Sequence, residues 1–131
     1  MAKVLIIEDD VNYCFLVERA LTQEGFEVCT AANLKDGLQC VHRDHPDAIV
    51  LDLGLPDSPV EETVSRVKLA ADSAIIVVLS GNAHAAEDCI SKSASGFIDK
   101  NAGLKYITTE IRNAIRTFRK IREIDSAIQS P

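Results

Sequence analysis

The chain alternates between short apolar runs and longer stretches in which apolar residues recur every three or four positions. A short apolar run indicates a buried strand, and the three-to-four spacing indicates an amphipathic helix. The runs predict strands over residues 4–7, 26–29, 48–51, 74–79 and 96–98. Five strands are therefore expected to alternate with helical segments along the chain.

The helical segments are bounded by residues that favour helix ends. Gly25 follows the first segment, Pro46 follows the second, and Asp10 is placed to cap the start of the first. A short polar helix is predicted over residues 83–90, and one long helix begins at Leu104. Helical spacing in the first three segments is carried by Cys14, Val17 and Leu21, by Leu34, Leu38 and Val41, and by Val60, Val64, Val67 and Ala71.

Several of the strands are apolar on both faces, which is typical of a parallel sheet covered by helices on both sides. A strand and a helix repeated five times in 131 residues fit a doubly wound fold. We predict an α/β fold with a flavodoxin-like, five-stranded parallel sheet of order 2-1-3-4-5. Five helices are expected, the last of them an extended C-terminal helix.

Composition narrows the classes of protein. Apolar residues make up 47% and charged residues 26% of the chain, which is the balance of a globular protein. No apolar run reaches the roughly 20 residues that span a bilayer, and the amino terminus runs straight into a strand without room for a secretory signal. We expect a cytoplasmic protein with no membrane partner. The four cysteines form no C-x-x-C pair, so reduced core residues are expected.

The net charge of −6 is distributed unevenly. Residues 1–103 carry 8 Lys/Arg and 17 Asp/Glu, giving −9, whereas residues 104–131 carry 6 and 3, giving +3. The acidic body is a poor surface for nucleic acid. The basic residues of the last segment lie on several helix faces without a base-reading module, so direct nucleic-acid binding is not expected.

Polar side chains follow four of the predicted strands. In a parallel α/β sheet, ligands bind beyond the carboxyl ends of the strands, near the point where the strand order reverses. The fold should therefore bring together carboxylates, a hydroxyl and an ammonium group. The residues at these strand ends are Glu8, Asp9 and Asp10, then Asp52, then Ser80, Gly81 and Asn82, and finally Asp99 and Lys100.

This set of groups suits phosphoryl transfer. Clustered carboxylates repel one another unless a cation holds them together, and Mg²⁺ prefers oxygen ligands. Asp52 is placed to serve as metal ligand and nucleophile. Lys100 and the metal would offset charge on the transferring group, and Ser80 would donate a hydrogen bond to it. Asp9 is assigned to the metal.

Four stretches carry a family resemblance: VLIIEDD at residues 4–10, IVLDLGLPD at 49–57, VLSG at 78–81 and GFIDK at 96–100. In this order they resemble the signatures of response-regulator receiver domains of two-component systems, over about residues 3–118. Asn101 departs from the family pattern, in which Pro usually follows the lysine. The resemblance implies a receiver domain at residues 1–118 and a helical extension, serving as a coiled-coil linker or a tail, at 119–131.

The resemblance also implies the site roles. The metal, Mg²⁺, would be held by Glu8, Asp9, Asp52 and the backbone carbonyl of Gly54. Phosphoryl donors would be phosphohistidines on a histidine kinase or phosphotransfer protein. The chain would be a phosphoacceptor regulator that catalyses only its own phosphorylation and dephosphorylation. The implied catalytic residues are Asp52, Lys100 and Ser80, and the implied switch residues are Ser80 and Phe97.

Other functions compete with this interpretation. A magnesium-dependent phosphatase of the haloacid-dehalogenase type would need a second acid two residues beyond Asp52, where Gly54 stands. A flavin-binding electron carrier would need a hydroxyl- and glycine-rich loop after the first strand, and the acids there would repel its phosphate. A degenerate receiver with a purely structural role is disfavoured by the intact acidic set.

The last helix has two interpretations. Its apolar positions follow an alternating 4-3 spacing, interrupted by one aspartate, as in a coiled-coil seam. The helix is either an amphipathic final helix with a frayed end, or it projects to pair with a second copy or lead into an output domain. The seam consists of Ile107, Ile111, Ala114, Phe118, Ile121, Asp125 and Ile128.

Overall fold

The computed structural model describes residues 2–81 and 94–129, with side chains of the last helix described to residue 117. Each strand is followed by a helix along most of the chain, as the apolar pattern predicts. The strands are β1 (Lys3–Ile7), β2 (Glu27–Ala31), β3 (Ala48–Asp52), β4 (Ile75–Ser80) and β5 (Gly96–Asp99). The described helices are α1 (Val11–Gln23), α2 (Leu34–Asp44), α3 (Val60–Ala70) and α4 (Leu104–Gln129).

The five strands form one parallel sheet in the order β2-β1-β3-β4-β5. This confirms the predicted flavodoxin-like topology, in which the strand order reverses between β1 and β3. The fifth predicted helix, over residues 83–90, lies outside the described residues, as does Cys89. Cys14, Cys29 and Cys40 are free thiols.

Among the described residues, two helices pack on each face of the sheet. Side chains from α2 and α3 pack with one set of alternating strand residues, and side chains from α1 and α4 pack with the other. Every residue of β3 and β4 is buried, because these central strands face helices on both sides. Gly37 lets α2 approach β1 closely, since a Cβ there would lie 2.5 Å from Cδ1 of Ile7.

Helix ends follow local chemistry. The side chain of Asp10 accepts a hydrogen bond from the backbone N–H of Tyr13 (3.1 Å), which confirms its predicted capping role. Helix α1 ends before Gly25, whose φ of 94° suits a residue without a Cβ. Helix α2 ends before Pro46, as predicted.

The second strand begins and ends later than the sequence predicts, at Glu27–Ala31 rather than residues 26–29. Parallel pairing with β1 runs from Lys3 opposite Glu27 to Ile7 opposite Ala31. The partner strand therefore extends the pairing past the apolar run. No helix among the described residues is long and apolar enough to cross a membrane.

Candidate functional site

A cavity of about 740 Å³ opens at the carboxyl edge of the sheet, around the ends of β1, β3, β4 and β5. Its position is the one that the reversal of strand order predicts. Acidic, hydroxyl and ammonium groups converge there from four separate strand ends. The lining residues are Glu8, Asp9, Asp10, Asp52, Leu53, Gly54, Val60, Ser80, Gly81 and Lys100.

Three acidic side chains form a cluster within this cavity. One carboxylate oxygen each from Glu8, Asp9 and Asp52 lies within 4.8 Å of the others. The side chains of Glu8 and Asp52 are buried, at 2% and 5% exposure, whereas Asp9 is exposed. Two buried carboxylates and one at the rim make an oxygen-rich pocket that is open on one side.

Lys100 provides positive charge to the buried acids. Its Nζ lies 2.7 Å from Oε2 of Glu8 and 3.2 Å from Oδ1 of Asp52. The backbone N–H of Lys100 donates to the carbonyl of Ser80 at 3.1 Å, so the turn after β5 is tied to the end of β4. The ammonium therefore bridges two carboxylates that would otherwise repel each other.

Asp52 is the last residue of the buried strand β3. The backbone N–H of Gly54 donates to its Oδ1 at 3.1 Å, so Lys100 and Gly54 contact the same oxygen. A Cβ at position 54 would lie 3.6 Å from Oδ2. Glycine thus leaves free space beside that second oxygen. Ser80, at the end of β4, is 7% exposed and lines the same cavity.

Burial and charge act in opposite directions on the ionisable groups. Burial, together with the neighbouring Asp52, raises the pKa of Glu8 to about 7, although Lys100 and the N–H of Asp10 pull it down. Burial also lowers the pKa of Lys100, but the carboxylates of Glu8 and Asp52 outweigh this effect and the pKa lies above its ordinary value. The lysine is therefore an ammonium ion at neutral pH.

Six of the seven predicted site residues line the cavity, and the seventh does not. Phe97 is half-buried in β5 and packs against the core on the α2–α3 face. One neighbour was missed: Tyr13, whose ring centroid lies 4.9 Å from Nζ of Lys100. Its place in α1 carried no signal beyond a half-buried helix position.

Comparison with known proteins places the chain in a family. Residues 4–112 match the response regulator receiver domain. The chain is 32% identical over 120 residues to the transcriptional regulatory protein KdpE of Staphylococcus aureus, covering 92% of this chain and 51% of that protein. Sporulation initiation phosphotransferase F of Bacillus subtilis is 23% identical over 120 residues, covering 92% of this chain and 95% of that protein.

Solved structures of receiver domains and of longer regulators share this fold. NtrX from Brucella abortus superposes with a TM-score of 0.89 at 25% identity, covering 96% of this chain and 29% of that one. A CheY-like receiver domain protein from Methanospirillum hungatei gives 0.83 at 20% identity, covering 92% and 98%. The chain spans about half the length of several curated relatives that it matches. By the family match and the shared topology, this chain belongs to the response regulator receiver domain family of two-component signalling.

Proposed function

We propose that the chain is a phosphoacceptor switch in which Asp52 takes a phosphoryl group from a phosphohistidine of a histidine kinase or phosphotransfer protein. The observation that carries this proposal is the convergence of Glu8, Asp9, Asp52 and Lys100 in one cavity at the carboxyl edge of the sheet. Such a site supplies a nucleophile, a cation pocket and a fixed positive charge, which are the parts that phosphoryl transfer needs.

The acidic cluster fits a magnesium ion. Ligand oxygens on opposite sides of six-coordinate Mg²⁺ lie about 4.2 Å apart, close to the 4.8 Å within which the three carboxylates lie. We assign the ion to Glu8, Asp9 and Asp52 with the backbone carbonyl of Gly54. When bound, it would neutralise charge on the phosphoryl oxygens.

The remaining roles in phosphoryl transfer are assigned to side chains of the cavity. We assign Oδ2 of Asp52 as the attacking oxygen, because Lys100 and Gly54 both contact Oδ1. A bond forms from Oδ2 to phosphorus while the bond from phosphorus to the donor's imidazole nitrogen breaks, and its electron pair stays on the imidazole. Lys100 and the hydroxyl of Ser80 would contact the transferred oxygens. In this scheme the chain is not an enzyme acting on other substrates.

The switch itself would link Ser80 and Phe97. Pairing between β4 and β5 places Ser80 opposite Asp99, two residues beyond Phe97. A shift of Ser80 toward a phosphoryl oxygen would move the end of β4 and so change the packing of the half-buried aromatic ring. The phosphorylated chain would then present a different surface to its partners.

Labelling tests the proposal. Acetyl phosphate with MgCl₂ should phosphorylate the wild type, and Asp52→Asn should abolish the phosphoryl adduct detected by intact mass. EDTA should prevent the reaction. Asp72→Asn is the matched control, because Asp72 is 95% exposed and does not line the cavity; it should label like the wild type. Equal labelling of Asp52→Asn would refute the assignment.

The contacts that Asp52 makes with the described residues do not support a phosphatase with an aspartyl-phosphate intermediate. The position where such an enzyme needs a second acid is Gly54, which contributes only a backbone N–H to Asp52. Inorganic phosphate release from a phosphomonoester, measured with the wild type, should stay at background.

We also propose that the chain is the receiver portion of a longer regulator, with residues 119–131 as a helical linker. The supporting observations are the curated relatives, of which the chain spans about half, and the 26-residue α4. Nucleic-acid binding would then belong to an output domain rather than to this acidic receiver. Pairing with a second copy through α4 is the alternative use of the helix. A cytoplasmic location stays a prediction.

A further inference from the structure

The ammonium of Lys100 is held on three sides. Two are the carboxylates of Glu8 and Asp52, at 2.7 and 3.2 Å. The third is the ring face of Tyr13, with Nζ 4.9 Å from the ring centroid. This distance lies within the range over which a cation is attracted to an aromatic face.

The position of Tyr13 is determined by the same strand end that carries the acids. Its backbone N–H donates to Oδ1 of Asp10 at 3.1 Å, and the N–H of Asp10 donates to Oε1 of Glu8 at 3.1 Å. The ring also packs against the core on the α1–α4 face of the sheet. The two hydrogen bonds thus position the backbone of Tyr13 relative to Glu8, and packing against the core restricts its ring.

The aromatic contact differs from the two ionic contacts in one respect. Glu8 and Asp52 also belong to the acidic cluster to which the metal ion is assigned above, so their attraction for Lys100 would compete with that role. The ring belongs to no such cluster. Lysine has a long, flexible side chain that loses much rotational freedom when it is fixed. When the carboxylates bind the metal ion, contact with the ring would keep the ammonium of Lys100 directed into the cavity.

We propose that Tyr13 is a positioning residue that holds Lys100 in the orientation needed to contact the incoming phosphoryl group. The proposal rests on the phosphoacceptor function argued above. The ring, and not the hydroxyl, carries the effect, because Oη is buried without a hydrogen-bond partner among the described residues. Tyr13→Phe should therefore preserve the function, and Tyr13→Leu should not.

The first test is a double-mutant cycle on the initial rate of labelling by acetyl phosphate and MgCl₂. Tyr13→Leu should lower the rate about threefold to tenfold, as expected for loss of a partly desolvated cation–aromatic contact. Tyr13→Phe should stay within about twofold of the wild type by the same reasoning. In a Lys100→Met background, Tyr13→Leu should have no further effect.

The second test needs no phosphorylation. In proton NMR spectra, the ε-methylene protons of Lys100 should show an upfield ring-current shift in the wild type and in Tyr13→Phe. Tyr13→Leu should lose that shift, and Lys100→Met identifies the signal by its disappearance.

The outcomes separate the two proposals. A wild type that labels no better than Asp52→Asn overturns the phosphoacceptor function, and the role of Tyr13 falls with it. A wild type that labels, with Tyr13→Leu equally fast, overturns only the positioning role. If Tyr13→Leu lowers the rate by the same factor in the wild-type and in the Lys100→Met background, the positioning role is overturned too, because Tyr13 would then act on folding or on another group.

Discussion

Among single residues, Glu8 combines deep burial with an ionisable carboxyl group. Its side chain is 2% exposed, and burial raises its pKa to about 7. A buried acid is stabilised in its protonated form unless nearby positive charge is sufficient. Lys100 at 2.7 Å supplies one such charge, but Asp52 shares the same ammonium.

This combination predicts a pH dependence of stability. A pKa raised from 4.5 to about 7 means that the folded chain binds the proton more tightly than the unfolded chain. The resulting stabilisation is complete below pH 4.5 and is lost as the pH rises through about 7. Glu8→Gln has no such titration. As the pH rises from 5 to 8, the free energy of unfolding of Glu8→Gln should therefore increase relative to that of the wild type, by on the order of 2 kcal/mol.

Urea unfolding of both proteins in the presence of EDTA measures this difference. A constant gap between Glu8→Gln and the wild type across that pH range would contradict the prediction. Glu18→Gln serves as the control, because Glu18 lies outside the acidic cluster.

At the residue scale the sequence predicted the acids and the lysine but not their aromatic neighbour. Glu8, Asp52 and Lys100 each follow an apolar strand, and parallel strands end at one edge, so their meeting follows from topology. Tyr13 meets Lys100 across 87 positions of the chain. That contact depends on the rotation of α1 and on two side-chain rotamers, which apolar periodicity does not determine.

Among the elements, α2 has an unusual amino terminus. The side chain of Asn33 accepts from the N–H of Asp36 at 2.8 Å. A second acceptor comes from the loop after β3, where Asp57 accepts from the N–H groups of Leu34 and Lys35 at 2.8 and 2.9 Å. These backbone hydrogen bonds lower the pKa of Asp57. The loop that follows β3 is thereby tied to the amino terminus of α2.

Removing this second cap should destabilise the fold. Asp57→Ala leaves two amide groups of α2 without their acceptor and should lower the free energy of unfolding by about 1 kcal/mol. Because the pKa of Asp57 is lowered in the folded chain, this contribution should be present above pH 3.8 and fade as the pH falls below it. Thermal or urea unfolding at neutral and acidic pH measures both effects.

Asp72→Ala is the control for this experiment, since its carboxylate is 95% exposed and caps no helix. Its effect should stay within about 0.5 kcal/mol. If the two alanine variants are equally stable at neutral pH, the second cap contributes nothing.

The sequence predicted α2 and its end before Pro46, but not this cap, because it joins residues more than twenty positions apart.

For the whole molecule, α4 is longer than the sheet requires. Its 26 residues span about 39 Å at 1.5 Å per residue, whereas a strand of six residues spans about 20 Å. Its first half is anchored by buried Ile107, Ile111 and Ile115 and by an ion pair between Arg112 and Glu24 at 3.0 Å. The remainder continues the 4-3 spacing of apolar residues.

Pairing through this seam should change the mass in solution. Light scattering should detect a monomer of 14.3 kDa before phosphorylation and a dimer after it. Ile121→Asp places a charge on the seam and should prevent the dimer, while Ser126→Asp, off the seam, should not. A monomer that persists after complete phosphorylation would rule out pairing and leave the linker role.

Strand order was predictable at this scale because right-handed crossovers and a doubly wound sheet leave few arrangements. The bounds of β2 were not predictable from the sequence, because they depend on pairing with β1 and not on the apolar run alone.

The acidic pocket has no local precursor in the chain. Its acids are residues 8, 9 and 52, and the lysine that pairs with two of them is residue 100, so no short stretch of the sequence contains the site. A chain that ends before residue 100 lacks the lysine of the site, and Glu8 and Asp52 approach each other only when β1 and β3 are paired. The site is therefore assembled only when β1, β3 and β5 lie in the same sheet.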